Sequence, residues 1–503
     1  MDKTHFLLRS LSPPQLKMLK DYLHYFSVRK DPETQLLKLA DIIIQSGDEV
    51  PSLEDCSRMI YGTMNYNGIQ KLKSRLRKKI ENLLLLDTGT EKRDKGLDEL
   101  DKYIILVRRK VTLFHVLLLS KTDSSRFLDA EMEEIIRISK KYELYSILIE
   151  QLKYKKWMVG LKEGEKEMNA LSTDIKFYQK CEETLNKAVD CYYKAVIRTS
   201  HNTKSDRLGL QRFLKQSIRE LGNENEAMGS AVVTYYSKQL EAMYYDSLHK
   251  ISYSRQAAME MLYIIKNNKS VFRKQRLAIA YIYLSNCDIR AGEYENAIQN
   301  ASSARKYCLK NSVNYYGSVD YEFLARFYLS DLTGSQRLSH ELLRSVKKEV
   351  GDFFFAKYLF YQASVYFALG RYKDTLRQLN FKMQLSKDKQ GWDMSIRILK
   401  IQTTVEMSNL DDASAQVAAL IKHAERAFLN GTLKPREKLI LRTLRMLEHD
   451  GFSGLRIRQK LFKSYELLRN NVNYCWEPLS SELIPFESWL ASHYNLGKTR
   501  RKD

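Results

Sequence analysis

Residues 278–304 read AIAYIYLSNCDIRAGEYENAIQNASSA, and residues 356–382 read AKYLFYQASVYFALGRYKDTLRQLNFK. Each stretch carries apolar and small residues at helical spacing, then a glycine, a charged residue and a tyrosine, and then a second helical pattern. The glycines, Gly292 and Gly370, are 78 residues apart, which fits two units of about 39 residues. The pattern predicts helical hairpins that repeat along the chain, with an intermediate unit over residues 319–346.

Prolines are confined to the two ends of the sequence. None of the 7 prolines lies between residues 52 and 434. Stacked helices exclude proline from their interiors, because proline lacks the N–H group and clashes with the preceding turn. The sequence therefore predicts an all-α fold, in which an N-terminal helical domain precedes a superhelix of α-α hairpins.

The first repeated stretch resembles a tetratricopeptide repeat. Its residues match the aromatic, leucine, small, glycine, tyrosine and two alanine positions of that family in order: Tyr281, Leu284, Ser285, Gly292, Tyr294, Ala297 and Ala304. It departs at Asp288, where the family usually has an aromatic residue. The second stretch keeps four of the positions, Ala363, Tyr366, Gly370 and Tyr372. The resemblance implies a degenerate tetratricopeptide-like solenoid with longer units, and the layout is similar to that of bacterial proteins of this kind.

Changes of composition predict four parts. A basic N-terminal helical domain covers residues 1–96 and ends in a polar, glycine-containing linker. Helical hairpins with a long helix, from Glu165 to Ile197, cover residues 97–225. Tetratricopeptide-like repeats cover residues 226–475, and a C-terminal tail covers residues 476–503.

Bulk composition limits the class of protein. The chain has 503 residues, of which 44% are hydrophobic and 29% charged, so wholesale disorder is not expected. Its 6 cysteines include no Cys-x-x-Cys pair and are expected to be reduced. No secretion signal or membrane span is recognisable, which predicts a cytoplasmic protein without a membrane partner.

Motifs of known chemistry are missing from the sequence. It has no glycine-rich phosphate loop, no His-Glu-x-x-His pair and no Gly-x-Ser-x-Gly elbow. The 9 histidines are dispersed. We therefore expect a protein that is not an enzyme and that has no cofactor and no metal site.

The resemblance implies a ligand surface, because tetratricopeptide repeats usually bind on the concave face made by the first helix of each unit. Transferred position by position, this face comprises Tyr283, Asn286, Arg290, Glu322, Arg326, Lys357, Phe360, Tyr361 and Ser364. Their amides, charges and rings suit a peptide. The predicted function is a scaffold or adaptor that binds a protein or peptide partner without turnover.

A basic helix offers an alternative. From about Gly68 to Leu86, apolar residues fall on one helical face, and the opposite face carries Lys71, Arg75, Lys78 and Lys79. The formal charge of the whole chain is +22. Such a face can contact phosphates, so the alternative function is a nucleic-acid-associated regulator in which the repeats act as a sensor.

Overall fold

A computed structural model defines the architecture and describes residues 3–11, 13–27, 31–47, 49–86, 97–119, 125–201, 207–310, 312–346, 351–380, 391–427 and 433–496. Within these residues the chain forms 23 α-helices and no strand, which confirms the predicted all-α fold. The chain divides into two compact units, residues 1–138 and 139–503. The predicted linker, residues 87–96, lies outside the described residues, and the four-part division remains a prediction.

The first unit contains one apolar core, which its first five helices form. Its helices are α1 (Lys3–Arg9), α2 (Pro13–Ser27), α3 (Asp31–Gln45), α4 (Leu53–Tyr61), α5 (Tyr66–Leu86), α6 (Glu99–Leu119) and, across the boundary, α7 (Ser125–Lys141). The apolar face predicted for the basic helix lies in the core, where Ile69, Leu72, Leu76, Ile80 and Leu83 are buried. Three-and-four spacing therefore placed this face correctly.

The second unit continues as helix after helix. Its helices are α8 (Tyr145–Glu163), α9 (Glu165–His201), α10 (Arg207–Glu226), α11 (Ala231–Ser247), α12 (Ile251–Asn267), α13 (Lys274–Ala291), α14 (Tyr294–Tyr307), α15 (Val313–Tyr328), α16 (Leu332–Val346), α17 (Gly351–Ala368), α18 (Tyr372–Leu379), α19 (Trp392–Glu406), α20 (Leu410–Ala427), α21 (Pro435–His449), α22 (Arg458–Asn470) and α23 (Phe486–His493). No helix in the described part of the chain has the length and apolar character needed to cross a membrane.

The hairpin turns share one backbone device. Six consecutive hairpins, from α11–α12 to α21–α22, carry a residue with positive φ in the turn, namely His249, Gly292, Ser330, Gly370, Ser408 and Gly451. The next residue donates its N–H group to a carbonyl five positions back, as Glu293 does to Asp288 at 2.8 Å and Asp331 to Arg326 at 2.9 Å, which is the Schellman closure of a helix. These turn residues are 43, 38, 40, 38 and 43 residues apart. The chain is thus a repeat of helical hairpins, and Ser330 marks the intermediate unit.

Small residues hold the two helices of a hairpin together. The Ser285 hydroxyl of α13 donates to the Ala297 carbonyl of α14 at 2.9 Å, and in the α17–α18 hairpin Thr375 donates to the Ala363 carbonyl at 3.4 Å. Both alanines are fully buried. Because a methyl group is all that fits, the helices approach closely at these positions. We call α11, α13, α15, α17, α19 and α21 the first helices of their hairpins.

The segment predicted as a C-terminal tail is folded as far as the structure describes it, to residue 496. In the short helix α23, Phe486, Trp489 and Leu490 are buried in the core formed with α19, α20, α21 and α22. An eight-residue helix is too short to show a clear apolar period in sequence. Residues 476–496 therefore belong to the hairpin unit.

Candidate binding surface on the first helices

A row of tyrosines marks equivalent positions on three successive first helices. Tyr283, Tyr321 and Tyr361 each lie nine residues before the turn residue of their hairpin. Burial raises the pKa of all three hydroxyl groups above the usual value of 10, so each stays protonated at neutral pH and can donate a hydrogen bond. We call the side of the first helices that carries this row the first-helix surface.

Polar side chains connect three first helices on this surface. The Nδ2 atom of Asn286 in α13 donates to the Tyr321 hydroxyl in α15 at 3.1 Å. Arg290 donates from Nε to the Asn286 side-chain oxygen at 3.2 Å and pairs with Asp246 of α11 at 3.2 Å. The residues that connect the helices are half-buried.

A second charged pair lies one hairpin further on. The Nζ atom of Lys357 in α17 donates to Asp320 of α15 at 2.5 Å, and it stands 5.3 Å from the centre of the Tyr361 ring and 5.4 Å from that of Trp392. An ammonium group at this distance is attracted to the face of an aromatic ring. Lys357 is thus held in place by a carboxylate and two rings.

An open space adjoins these groups at Gly317. This residue lies thirteen positions before its turn residue, as Lys357 does in the next unit. A Cβ atom added at Gly317 would have no heavy atom within 4 Å. Asp320 and Tyr321 follow one helical turn later on the same face, so the space at Gly317 lies beside them.

The structure corrects part of the predicted face in α17. Phe360 is 2% exposed, Tyr361 1% and Ser364 0%, so these side chains are not offered to a ligand on an open surface. Phe360 and Tyr361 pack in the core with Trp392 of α19. Because α17 is apolar on all sides, the sequence pattern could not separate its buried faces from an open one.

Glu322 and Arg326 also lie elsewhere. The buried Glu322 pairs with Arg305 of α14 and accepts a hydrogen bond from Arg326 at 2.9 Å, and Arg326 also binds Asp331 in the hairpin turn at 2.7 Å. These ion pairs hold the hairpin of α15 against the preceding helix. The predicted face of α15 began one residue too late, at Glu322, because the equivalent of Tyr283 is Tyr321. One residue turns a helix by about 100°, so the predicted residues lie on another side of α15.

The remaining predicted residues are placed as follows. Tyr283, Asn286, Arg290 and Lys357 lie together on the first-helix surface, and their role in binding stays a prediction. Sequence reasoning missed Asp246, Asp320 and Tyr321. Tyr321 could have been found by counting nine residues back from the hairpin turn at Ser330. A serine in the sequence does not mark a turn as clearly as a glycine does.

The structure places three of the four predicted basic residues of α5 at the surface. Lys71, Arg75 and Lys78 are exposed at steps of four and three, and none of them is paired with a carboxylate among the described residues. Lys79 instead turns toward Tyr22 of α2, with 3.3 Å between Nζ and the hydroxyl oxygen. Three cations, not four, therefore form the exposed face.

Groups of three or more His, Cys, Asp or Glu side chains that could hold a metal ion are not found in the described part of the chain.

Comparisons with known proteins give little. No family model matches the chain, and no curated protein sequence matches it. A solved structure, that of a signal transduction ATPase with numerous domains (STAND) protein with a tetratricopeptide repeat sensor from Pyrococcus horikoshii, matches at 12% sequence identity and a TM-score of 0.37. The match covers 84% of this chain and 74% of that one. This similarity is too low to bear on the fold, which rests on the hairpins themselves.

Proposed function

We propose that the protein is a scaffold or adaptor whose first-helix surface binds an extended segment of a protein partner, without turnover. The observation that carries the proposal is the row of Tyr283 and Tyr321 beside the half-buried Asn286, Arg290 and Lys357.

The chemistry of the surface suits a polypeptide backbone. Such a backbone presents N–H donors and C=O acceptors in alternation, and the surface offers tyrosine hydroxyls, an amide, two cations and the carboxylates of Asp246 and Asp320. The tyrosine rings add rigid apolar area, which is common where proteins bind each other strongly. The missing side chain at Gly317 leaves space beside Asp320 and Tyr321.

The test removes two of these groups. Asn286→Ala combined with Arg290→Ala takes away an amide and a cation from α13. With the partner recovered from the native host by the parent protein, we expect the double variant to bind about 10- to 100-fold more weakly, since hydrogen bonds to a charged group contribute about 1.5–3 kcal/mol.

A matched control lies on the second helix of the same hairpin. Gln299 and Lys306 are an exposed amide and an exposed cation of α14, so Gln299→Ala with Lys306→Ala makes the same chemical change away from the surface. The control should bind as the parent does. Equal binding by the two double variants would reject the proposal.

The basic face supports a second candidate, nucleic-acid binding by the first unit. We propose it on one observation, the exposed and unpaired Lys71, Arg75 and Lys78 on one side of α5. Replacing all three by alanine should weaken binding to duplex DNA or RNA and reduce the slope of log affinity against log salt by about 2–3.

The control for this test is a second basic face. Arg212, Lys215 and Arg219 are exposed on α10 and have a similar spacing. A triple alanine variant there lowers the net charge equally, so it separates a specific face from general attraction. If both variants lose the same affinity, or if neither loses any, nucleic-acid binding by α5 is excluded.

A further inference from the structure

The chain between α22 and α23 folds back over the first helices. These residues, 471–485, contain no helix, and we call them the strap. Their contacts are with the end of α15, the start of α19 and the start of α21. The strap therefore covers the C-terminal half of the first-helix surface, beyond the open space at Gly317.

An aromatic side chain fixes one point of the strap. The ring of Trp476 meets the ring of Tyr328 edge-on, with 5.1 Å between the centres and 82° between the planes. Tyr328 lies two residues before its turn residue, Ser330, as Arg290 does before Gly292. On α15 the strap thus covers the position that corresponds to Arg290 on α13.

A carboxylate fixes a second point. Arg436 in the first turn of α21 donates from Nε and Nη2 to the two oxygens of Glu482 at 2.8 and 2.7 Å, and from Nη1 to the Tyr474 carbonyl at 2.6 Å. A guanidinium group that binds both oxygens of a carboxylate recognises its geometry as well as its charge. The Arg436 side chain is only 10% exposed, so this ion pair is largely removed from water.

Next to the second point the strap enters the core at Leu483, and Leu479 and Ile484 pack against the same core. Leu483 is 1% exposed and packs among Phe323, Tyr361 and Trp392. The Ser481 hydroxyl accepts a hydrogen bond from Ser395 at 3.0 Å. These contacts are of the kind that a bound peptide makes, namely an anchor in a pocket with hydrogen bonds beside it.

The remainder of the strap is half-buried or exposed. Within residues 471–485, Leu483 alone is fully buried. The backbone hydrogen bonds donated by Tyr474, Cys475 and Ser480 close local turns within the strap. Segments with few buried contacts and exposed backbone open at a lower free energy than the core.

We infer that the surface between α15 and α21 is a binding site for an extended protein segment that carries an aromatic side chain and, six residues later, a carboxylate. The strap occupies this site as an internal ligand through Trp476 and Glu482, until a partner segment of the same chemistry displaces it. A tethered segment competes at an effective concentration of about a millimolar, so it sets a threshold that a partner must exceed. The inference rests on the proposed function only in treating the first-helix surface as the binding surface.

The test uses a fluorescent peptide of residues 471–485 and the full chain, under reducing conditions. The variant Trp476→Ala with Glu482→Gln loosens the strap at both points, and we expect it to bind the peptide at least about tenfold more tightly than the parent does. The control, Val472→Ala with Glu477→Gln, changes exposed residues of the same strap and should bind as the parent does. Adding Arg436→Gln to the loosened variant should abolish binding.

Two results would overturn the inference. One is equal peptide affinity for the loosened variant and its control. The other comes from hydrogen exchange of the unmodified protein, which does not depend on a variant folding. The strap amides should exchange faster than those of α15 and α19, and excess peptide should speed them further. If the strap amides exchanged only at the rate of the α15 and α19 amides, the strap would not open separately from these helices, and the inference would fail. Neither measurement needs the host partner, so failure here is distinguishable from failure of the proposed function.

Discussion

The side-chain amide of Asn286 lies 3.1 Å from the hydroxyl oxygen of Tyr321, and this bond joins the first helices of two successive hairpins. Because each hairpin contacts mainly its neighbours, such bonds set the spacing of the repeats. They also fix the polar groups that we propose bind a partner. The same residues therefore contribute to stability and to recognition, and the two roles can be separated by substitution.

Tyr321→Phe tests the contribution to stability. The change keeps the ring and removes the hydroxyl, so Asn286 loses its acceptor. We expect the free energy of unfolding to fall by about 1 kcal/mol, measured by urea denaturation. Tyr263 is 70% exposed, and Tyr263→Phe should leave stability unchanged. A loss in the control that equals the loss at Tyr321 would contradict the assignment.

Ala297→Leu tests the close approach of α13 and α14. Ala297 is fully buried and its carbonyl accepts from Ser285, so there is no space for three more carbon atoms. We expect a destabilisation of about 1–3 kcal/mol, seen as a lower thermal midpoint. Ala418 is exposed on α20, and Ala418→Leu should be nearly neutral. An unchanged midpoint for Ala297→Leu would show that the hairpin register is wrong.

The environment of Glu406 predicts that the stability of the fold depends on pH. Glu406 accepts from Trp489 at 2.8 Å and lies 2.7 Å from Nδ1 of His493. Burial raises the pKa of this carboxyl, but the hydrogen bonds from His493 and Trp489 outweigh burial and lower the pKa below its ordinary value of 4.5. The ionised form therefore stabilises the fold fully above pH 4.5, and this contribution is lost as the pH falls through the lowered pKa.

The measurement compares the parent with Glu406→Gln by urea denaturation from pH 7 to pH 3. The variant should be less stable at pH 7, and the difference should shrink below pH 4.5 because protonated glutamate then resembles glutamine. Glu477→Gln, at an exposed position of the strap, should differ little from the parent throughout. A constant difference over the whole range would show that ionisation of Glu406 does not support the fold.

The sequence predicted helices well where the apolar period was long. The long helix expected from Glu165 to Ile197 runs from Glu165 to His201, and the basic helix expected from Gly68 begins at Tyr66. Such periods report local geometry directly. The first and last residues of the helices were predicted less accurately, because one or two capping residues decide where a helix ends.

The departure from the repeat pattern at Asp288 can be explained only from the structure. Asp288 stands where an aromatic residue is usual, and it is fully buried. It pairs with Arg255 of α12 at 3.0 Å and accepts from Asn300 of α14 at 2.7 Å, so an ion pair takes the place of ring packing. Arg255 and Asn300 do not stand out in the sequence.

Contacts distant in the sequence were not predictable at all. Arg436 and Glu482 are 46 residues apart, and only the folded chain shows that the strap returns to the first helices. The strap has no period, since it has no regular structure of its own. A single sequence gives no signal for such a pair.

Photo-crosslinking from Gly317 tests the central claim most directly. A p-benzoylphenylalanine placed there would project into open space on the first-helix surface, whereas the same residue at Gln299 would project from the second helix α14. With the partner recovered from the native host, the account predicts a crosslink from position 317 to one short segment of the partner and none from position 299. A partner that crosslinks from position 299 and not from position 317 would contradict it.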